Sequence, residues 1–171
     1  MTIWTKNDEK ETIYYELFPF KNWQIGLAHS SKGLCYLGFE TDTHNSKEHL
    51  QKTFPKNTLQ KKHSAFLDET FSKIKAKNYS AIPLHIKGTP FQIQIWKELL
   101  KIPSGEVRHY QDLHPQSSYA RACGTAVGSN PISIIIPCHR VLQKSGKWQS
   151  YLWGKEIKKE LLAMEGVEVH E

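Results

Sequence analysis

Cys138 is followed at once by His139 and Arg140. A cysteine attacks carbon only as its thiolate, so it needs a base or a positive field beside it. The neighbouring imidazole is a candidate for that base. A lone Cys-His pair also fits a buried structural cysteine, which is a common arrangement. Glu165 adds to the chemical reading. It stands at the C-terminal end of an expected helix, where the macrodipole disfavours a carboxylate. A carboxylate that orients a histidine, which in turn activates a thiol, would explain its place. A solvated helix-end glutamate would explain it too.

The elements expected around these residues follow from pattern and punctuation. Ile132-Ser133-Ile134-Ile135-Ile136 is a β-branched apolar run and reads as a buried strand that ends at Pro137 and delivers Cys138. Asn130-Pro131 reads as a turn before it. A final helix is expected over Lys155 to Met164, with Ile157, Leu161 and Leu162 on its buried side and Gly166 closing it. Upstream, Gly88-Thr89-Pro90-Phe91-Gln92 is a well-formed helix start. Thr89 caps, Pro90 takes the first helical position, and Gln92 completes a capping box. Phe91, Ile95, Trp96, Leu99 and Leu100 then form one apolar stripe, and Ile102-Pro103-Ser104-Gly105 ends it.

After Tyr110 comes a short helix candidate, Gln111 to His114, cut by Pro115. Ser117 or Ser118 can cap a following helix over Tyr119 to Val127, with Gly128 at its exit. Two helices joined by a short turn resemble a helix-turn-helix. Ala120, Ala122, Cys123, Gly124, Thr125 and Ala126 are unusually small for one helix. They permit close approach of another backbone, either DNA or a packed neighbouring helix.

The first half reads as a small α+β unit. Tyr14–Phe20 and Trp23–His29 are strand candidates, Ser30-Ser31-Lys32-Gly33 is a turn cluster, and Leu34–Phe39 resumes the apolar run, which predicts a hairpin. Helices are expected over 45–54 and from Ser64 to Lys75. The Lys-rich stretch 56–62 reads as a solvated connection, and Ala81–Ile86 as a strand or extended linker. Domains are therefore expected at 1–87 and 88–171.

The 171 residues carry a formal charge of +6, with 39% apolar and 23% charged side chains. That composition is ordinary for a globular protein. The modest basic excess, mostly in the first half, permits nucleic-acid binding without arguing for it. Nothing approaches the length of a membrane span, and Met1-Thr2-Ile3-Trp4-Thr5-Lys6 lacks a signal-peptide core. Cys35, Cys123 and Cys138 offer neither a disulfide nor a metal framework, which points to free thiols in a reducing compartment. Cys35 itself reads as a buried strand residue. A soluble, cytoplasmic protein is expected.

From Gly88 to Gly166 the motifs combine into something specific. Gly88-Thr89-Pro90-Phe91-Gln92, Ile95-Trp96, Ile102-Pro103-x-Gly105-Glu106-Val107 and Tyr110 are followed in order by Arg121-Ala122 and Gly128-x-Asn130-Pro131. Ile134-Ile135-Ile136-Pro137-Cys138-His139-Arg140-Val141 comes next, then Tyr151, Gly154, Lys158 and Leu161-Leu162-x-x-Glu165-Gly166. This order and spacing resemble the O6-alkylguanine-DNA alkyltransferase family. The resemblance implies a small N-terminal α/β domain of ribonuclease H-like type. It implies a mostly helical C-terminal domain with a winged-helix or helix-turn-helix-like DNA-binding and active-site region.

The resemblance also implies roles. Cys138 would accept the alkyl group, His139 would deprotonate it through a water, and Glu165 would hold His139. Tyr110 would give a proton to the leaving guanine, and Asn130 would brace the segment leading to the cysteine. Arg121 would enter the base stack, with Ser118, Ala122, Gly124 and Thr125 also facing DNA. Tyr110, Pro137, Val141, Tyr151, Leu152 and Trp153 would surround the flipped base. The implied reaction is a single, irreversible transfer from O6-alkylguanine in double-stranded DNA, with O4-alkylthymine as a second candidate lesion. No metal or cofactor is implied, nor any membrane. The protein would be a monomer in the cytoplasm, at the nucleoid in a bacterium, or in the nucleus of a eukaryote.

Three departures stand out. Only Gln111 to Ala120 separate Tyr110 from Arg121, a shorter connection than the family pattern. His109 stands where many relatives have serine. Trp153 replaces a glycine of some relatives and would narrow the pocket mouth, which predicts a preference for methyl over bulky groups. Three other readings compete: a non-enzymatic alkyltransferase-like lesion binder, which would lack the acceptor cysteine; a cysteine hydrolase using Cys138, His139 and Glu165; and a plain helix-turn-helix regulator.

Overall fold

The computed structural model describes residues 1–143 and 151–168. The chain forms two compact units, Met1–Lys87 and Gly88–Glu171.

The first unit is built on a four-stranded sheet. Strands β2 (Thr12–Phe20), β3 (Trp23–Ser30) and β4 (Gly33–Glu40) follow the short β1 (Thr2–Ile3) and run antiparallel as a meander. Gly33 has φ +149°, and a Cβ there would lie 2.6 Å from the Pro83 carbonyl oxygen, so only glycine fits the β3–β4 turn. Helix α1 (Ser46–Thr53) starts at Asn45, whose side chain accepts the Glu48 amide, and it buries Leu50 against Ile13, Tyr15, Cys35 and Tyr36. Cys35 lies in the core of the sheet, as its apolar neighbours predicted.

The stretch expected as a solvated connection contains strand β5 (Thr58–Lys61), which pairs in parallel with β2 at the sheet edge. Its side chains are mostly exposed, and an edge strand rich in lysine and polar residues carries no alternating apolar signal. Helix α2 (Ala65–Lys75) is capped by Ser64, as predicted. Within Ala81–Ile86 only His85–Ile86 is strand (β6), paired in parallel with β1. Asp8 pins this corner by accepting from the Thr5 amide, Lys32 and His85. Burial pushes its carboxyl up, but those bonds outweigh it and hold it well below the usual range.

In the second unit, helix α3 (Pro90–Leu100) begins with the predicted Thr89/Gln92 capping box. Ile95, Trp96 and Leu99 form its buried face, and the Trp96 indole donates to the Ala126 carbonyl at 2.8 Å. Leu100, expected in that stripe, is 40% exposed. It is the last residue of the helix, which packs on α4 (Ala120–Gly128). The small residues of α4 do pack on α3: Cys123, Ala126 and Val127 are buried. Neither Ser117 nor Ser118 caps α4. Residues 117–119 form a 3-10 turn that runs straight into the helix, and Tyr119 takes the cap position without a side-chain bond. The first limb of the expected helix-turn-helix is a single 3-10 turn, Tyr110–Leu113.

The largest departure lies before Cys138. Ile132–Ile136 is buried, but it is not a strand. Backbone bonds from Ile135 to Ser133, Ile136 to Ile132 and Cys138 to Ile136 fold it into successive tight turns, with Ile134 at φ +70°. An apolar β-branched run reports burial, and among the described residues no strand runs paired along it. Cys138–Arg140 is another 3-10 turn, leading to β8 (Val141–Leu142), which pairs in parallel with β7 (Arg108–His109). Helix α5 (Lys155–Met164) lies where predicted. Gly166, at φ +79°, ends it, with Gly166 N–H bonding to Ala163 and Val167 N–H to Leu162 in a Schellman arrangement.

Candidate active site

Asn130 builds the support for the thiol. Its amide nitrogen donates to the Ile136 carbonyl at 2.8 Å, and its oxygen accepts the Ile132 amide at 3.0 Å. One buried side chain therefore ties both ends of the turn-rich segment together. Cys138 emerges from this support with 5% exposure. Its Sγ lies 3.7 Å from the Tyr151 hydroxyl.

Cys138 opens onto a cavity of about 500 Å³. Tyr110, Asn130, Tyr151, Leu152 and Trp153 line it, together with Arg121, Gly124 and Thr125 of α4. Most of the residues singled out in the sequence thus share one chamber. Pro137 and Val141 do not line it: Val141 is fully buried, and its carbonyl accepts the Lys158 ammonium at 2.7 Å. Ser118 and Ala122 line a neighbouring groove with Thr89, Phe91 and Gln92. Arg121 borders both spaces and forms no ion pair among the described residues.

His139 is buried, and its Nε2 meets Glu165 Oε1 at 3.2 Å. Its Nδ1 is buried without a protein partner among the described residues. Burial lowers the imidazole pKa against the opposing pull of Glu165, so the ring is held neutral. Glu165 is gripped by Arg140, whose Nε donates to both carboxylate oxygens, at 2.9 and 3.2 Å. A second guanidinium nitrogen also bonds Oε2, and a third donates to the Ile102 carbonyl at 2.6 Å. Burial alone would raise the Glu165 carboxyl, but hydrogen bonds and charge from His139 and Arg140 pull it down to about 2. The unfavourable place of this carboxylate at the end of α5 is thereby compensated.

Tyr110 is pushed up to about 12 by burial and by the facing Cys138, so it stays protonated as a donor at neutral pH. Tyr151 is raised well above its ordinary value for the same two reasons. Three contributors escaped the sequence reading as participants. Arg140 and Lys158 were visible only as motif positions. Ser133 gave no signal at all, yet its hydroxyl accepts the Trp153 indole N–H at 2.7 Å and reaches the Tyr151 phenol. For Lys158 a signal did exist: a lysine beside Ile157 on the face that also carries Leu161 is out of place on a buried side.

Residues 90–167 match the family model described as 6-O-methylguanine DNA methyltransferase, DNA binding domain. The inducible methylated-DNA–protein-cysteine methyltransferase of Bacillus subtilis is 34% identical over 165 residues, covering 91% of this chain and 92% of that protein. The chain belongs to the methylated-DNA–protein-cysteine methyltransferase family. The family member of Haemophilus influenzae is 36% identical over 91% of this chain and 87% of its own length. Among solved structures, the O6-methylguanine methyltransferase of Mycobacterium tuberculosis superposes with a TM-score of 0.70 at 32% identity, covering 90% of this chain and 92% of that one. The Mycobacterium tuberculosis OGT in complex with DNA gives 0.67 at 31% identity, covering 89% and 92%. The mixed α+β fold of this methyltransferase family member is thus shared with its solved relatives. Among the described residues no helix is long and apolar enough to cross a membrane.

Proposed function

We propose that the protein repairs alkylated DNA by moving the alkyl group from guanine O6 onto Cys138, once and irreversibly. The observation that carries this reading is the placement of Cys138 on a cavity bordered by Tyr110 and Arg121, with the His139–Glu165 pair beginning at the next residue. The names of the full-length relatives support it.

In the proposed reaction a water relays the Cys138 proton to Nδ1 of neutral His139, and Glu165 stabilises the imidazolium. The thiolate attacks the alkyl carbon; the carbon–sulfur bond forms as the carbon–O6 bond breaks. Tyr110 gives its proton to the departing guanine and later regains one from the imidazolium through solvent. The alkyl carbon must first leave the duplex, since Cys138 is recessed, and eversion costs a few kcal/mol. Arg121, at the shared border of cavity and groove, fills the gap in the stack, while Ser118, Ala122, Gly124 and Thr125 face the duplex. The partner is double-stranded DNA carrying O6-alkylguanine, and the protein works as a monomer, in the compartment that holds the DNA. O4-alkylthymine is the second lesion to test.

The finer architecture follows the same reading. The sheet order β4-β3-β2-β5, with β5 parallel to β2, supports a ribonuclease H-like first domain. Helices α3 and α4 with the β7–β8 pair support a winged-helix-like second domain, which carries DNA binding and transfer. A lesion binder without chemistry would have no use for a thiol with a histidine–carboxylate pair beside it.

The deciding experiment mixes the protein with a duplex bearing O6-methylguanine and maps the product by peptide mass spectrometry. One added methyl on Cys138 and none on Cys35 or Cys123 is expected. Tight binding with no transfer would overturn the proposal.

A further inference from the structure

Lys158 has 0% exposure, alone among the lysines of the described residues. Its ammonium donates to the Val141 carbonyl and stands 5.7 Å from the centre of the Tyr151 ring, whose hydroxyl touches the Cys138 sulfur. No carboxylate pairs with it among the described residues. Glu165, the carboxylate at the end of the same helix, is already matched by Arg140. A buried cation left without an anion is strongly destabilising. A neutral carbonyl and a ring face offset only part of that cost.

We propose that Lys158 is the buried counter-ion of the Cys138 thiolate and sets how readily that thiol ionises. The groups that face the sulfur support this assignment. Tyr110 and Tyr151 are both held protonated by burial and by the charge of Cys138 itself. His139 is held neutral, and Arg140 is committed to Glu165. Arg121 borders the cavity at its open side, and Lys158 is the fully buried cation among the described residues that no carboxylate matches. Burial lowers it to about 8, and Cys138 is the one charge that favours its protonated form. Lys158 acts through field rather than contact, so it is a positioning residue. Alkylation converts the thiolate to a neutral thioether and leaves the ammonium without its anion.

The inference takes Cys138 as the nucleophile, as proposed above, but its test needs no DNA. Carboxamidomethylation of Cys138 by iodoacetamide is followed by peptide mass spectrometry against pH, in the wild type, Lys158→Met and Lys158→Arg. In Lys158→Met the reactivity curve is expected to move up by about one pH unit or more, with about a tenfold loss of rate at neutral pH. Lys158→Arg should return the curve toward the wild type. A folded Lys158→Met protein with an unchanged curve, or an arginine variant no better than methionine, overturns the proposal.

A second measurement on the wild type stands if the methionine variant fails to fold. Iodoacetate and iodoacetamide leave caps of almost equal size on Cys138, one anionic and one neutral. The anionic cap should give the higher melting temperature; equal or reversed stability overturns the assignment. If methyl transfer fails while the curve shifts, the ion pair survives and the repair reading falls. If transfer succeeds and the curve does not move, only this inference falls.

Discussion

Arg140 holds both oxygens of the Glu165 carboxylate, across 25 residues of chain, while His139 takes the Oε1 edge. The charge partner of Glu165 is therefore arginine, and the histidine it orients stays neutral. Replacing Glu165 by Gln leaves the Arg140 guanidinium buried and half-paired. A loss of about 3 kcal/mol or more in unfolding free energy is expected, together with slower alkylation of Cys138. Urea denaturation and iodoacetamide kinetics measure the two effects separately. A variant that loses neither would show that the trio is idle.

The same group sets a response to acid. Glu165 titrates near 4.5 in an unfolded chain and about 2 in the fold, so its contribution is complete above 4.5 and disappears as pH falls through about 2. His139, lowered from about 6.5, acts in the same sense: below that value the unfolded chain takes up a proton that the buried ring refuses. Stability should decline from about pH 6.5 downward and more steeply below 4.5. Urea midpoints measured across that range should show a flatter acid limb for Glu165→Gln.

Asn130→Ala removes both bonds that clamp the 132–136 turns. Each stranded backbone group costs about 1–3 kcal/mol when buried, so a total of about 2–6 kcal/mol is expected from chemical denaturation. Transfer should fall further than stability accounts for, because the sulfur loses its fixed position.

Trp153 forms a cavity wall, 5% exposed and tethered to Ser133. Methyl adducts should be repaired faster than benzyl adducts. Trp153→Gly should narrow that ratio by on the order of tenfold, the range a pocket wall of this kind commands. Competition between the two lesions in otherwise identical duplexes measures it. Equal handling of both by the wild type would contradict the role of the indole.

Arg121→Ala should slow transfer from duplex DNA by on the order of tenfold or more, since the cost of eversion is no longer offset. Reaction with free O6-methylguanine base should be unaffected. Equal losses on both substrates would place Arg121 in the chemistry instead.

Local signals in the chain were reliable wherever chemistry and geometry are local. The Thr89/Gln92 capping box, the Ser64 cap and the Gly166 exit are written in a few adjacent residues, and all three form as read. The contact between His139 and Glu165 was legible because each residue type is chemically distinctive. Ile134 shows the limit. A β-branched residue at φ +70° contradicts local preference, and the backbone turns, the Asn130 bonds and the surrounding burial hold it there. The polar edge strand Thr58–Lys61 was missed because an exposed strand has no apolar period. Lys158 and Ser133 were missed as participants because their importance lies in what the fold brings to them.

The recessed position of Cys138 has one more consequence. Cys138 lies inside a chamber at 5% exposure, and nothing about the chamber requires its visitor to be attached to a polymer. A narrow, water-borne electrophile can reach the same depth unaided. Each such encounter would spend a molecule of protein without mending a lesion, so the chemical burden of the surroundings, as well as the number of damaged bases, would govern how long a given supply lasts.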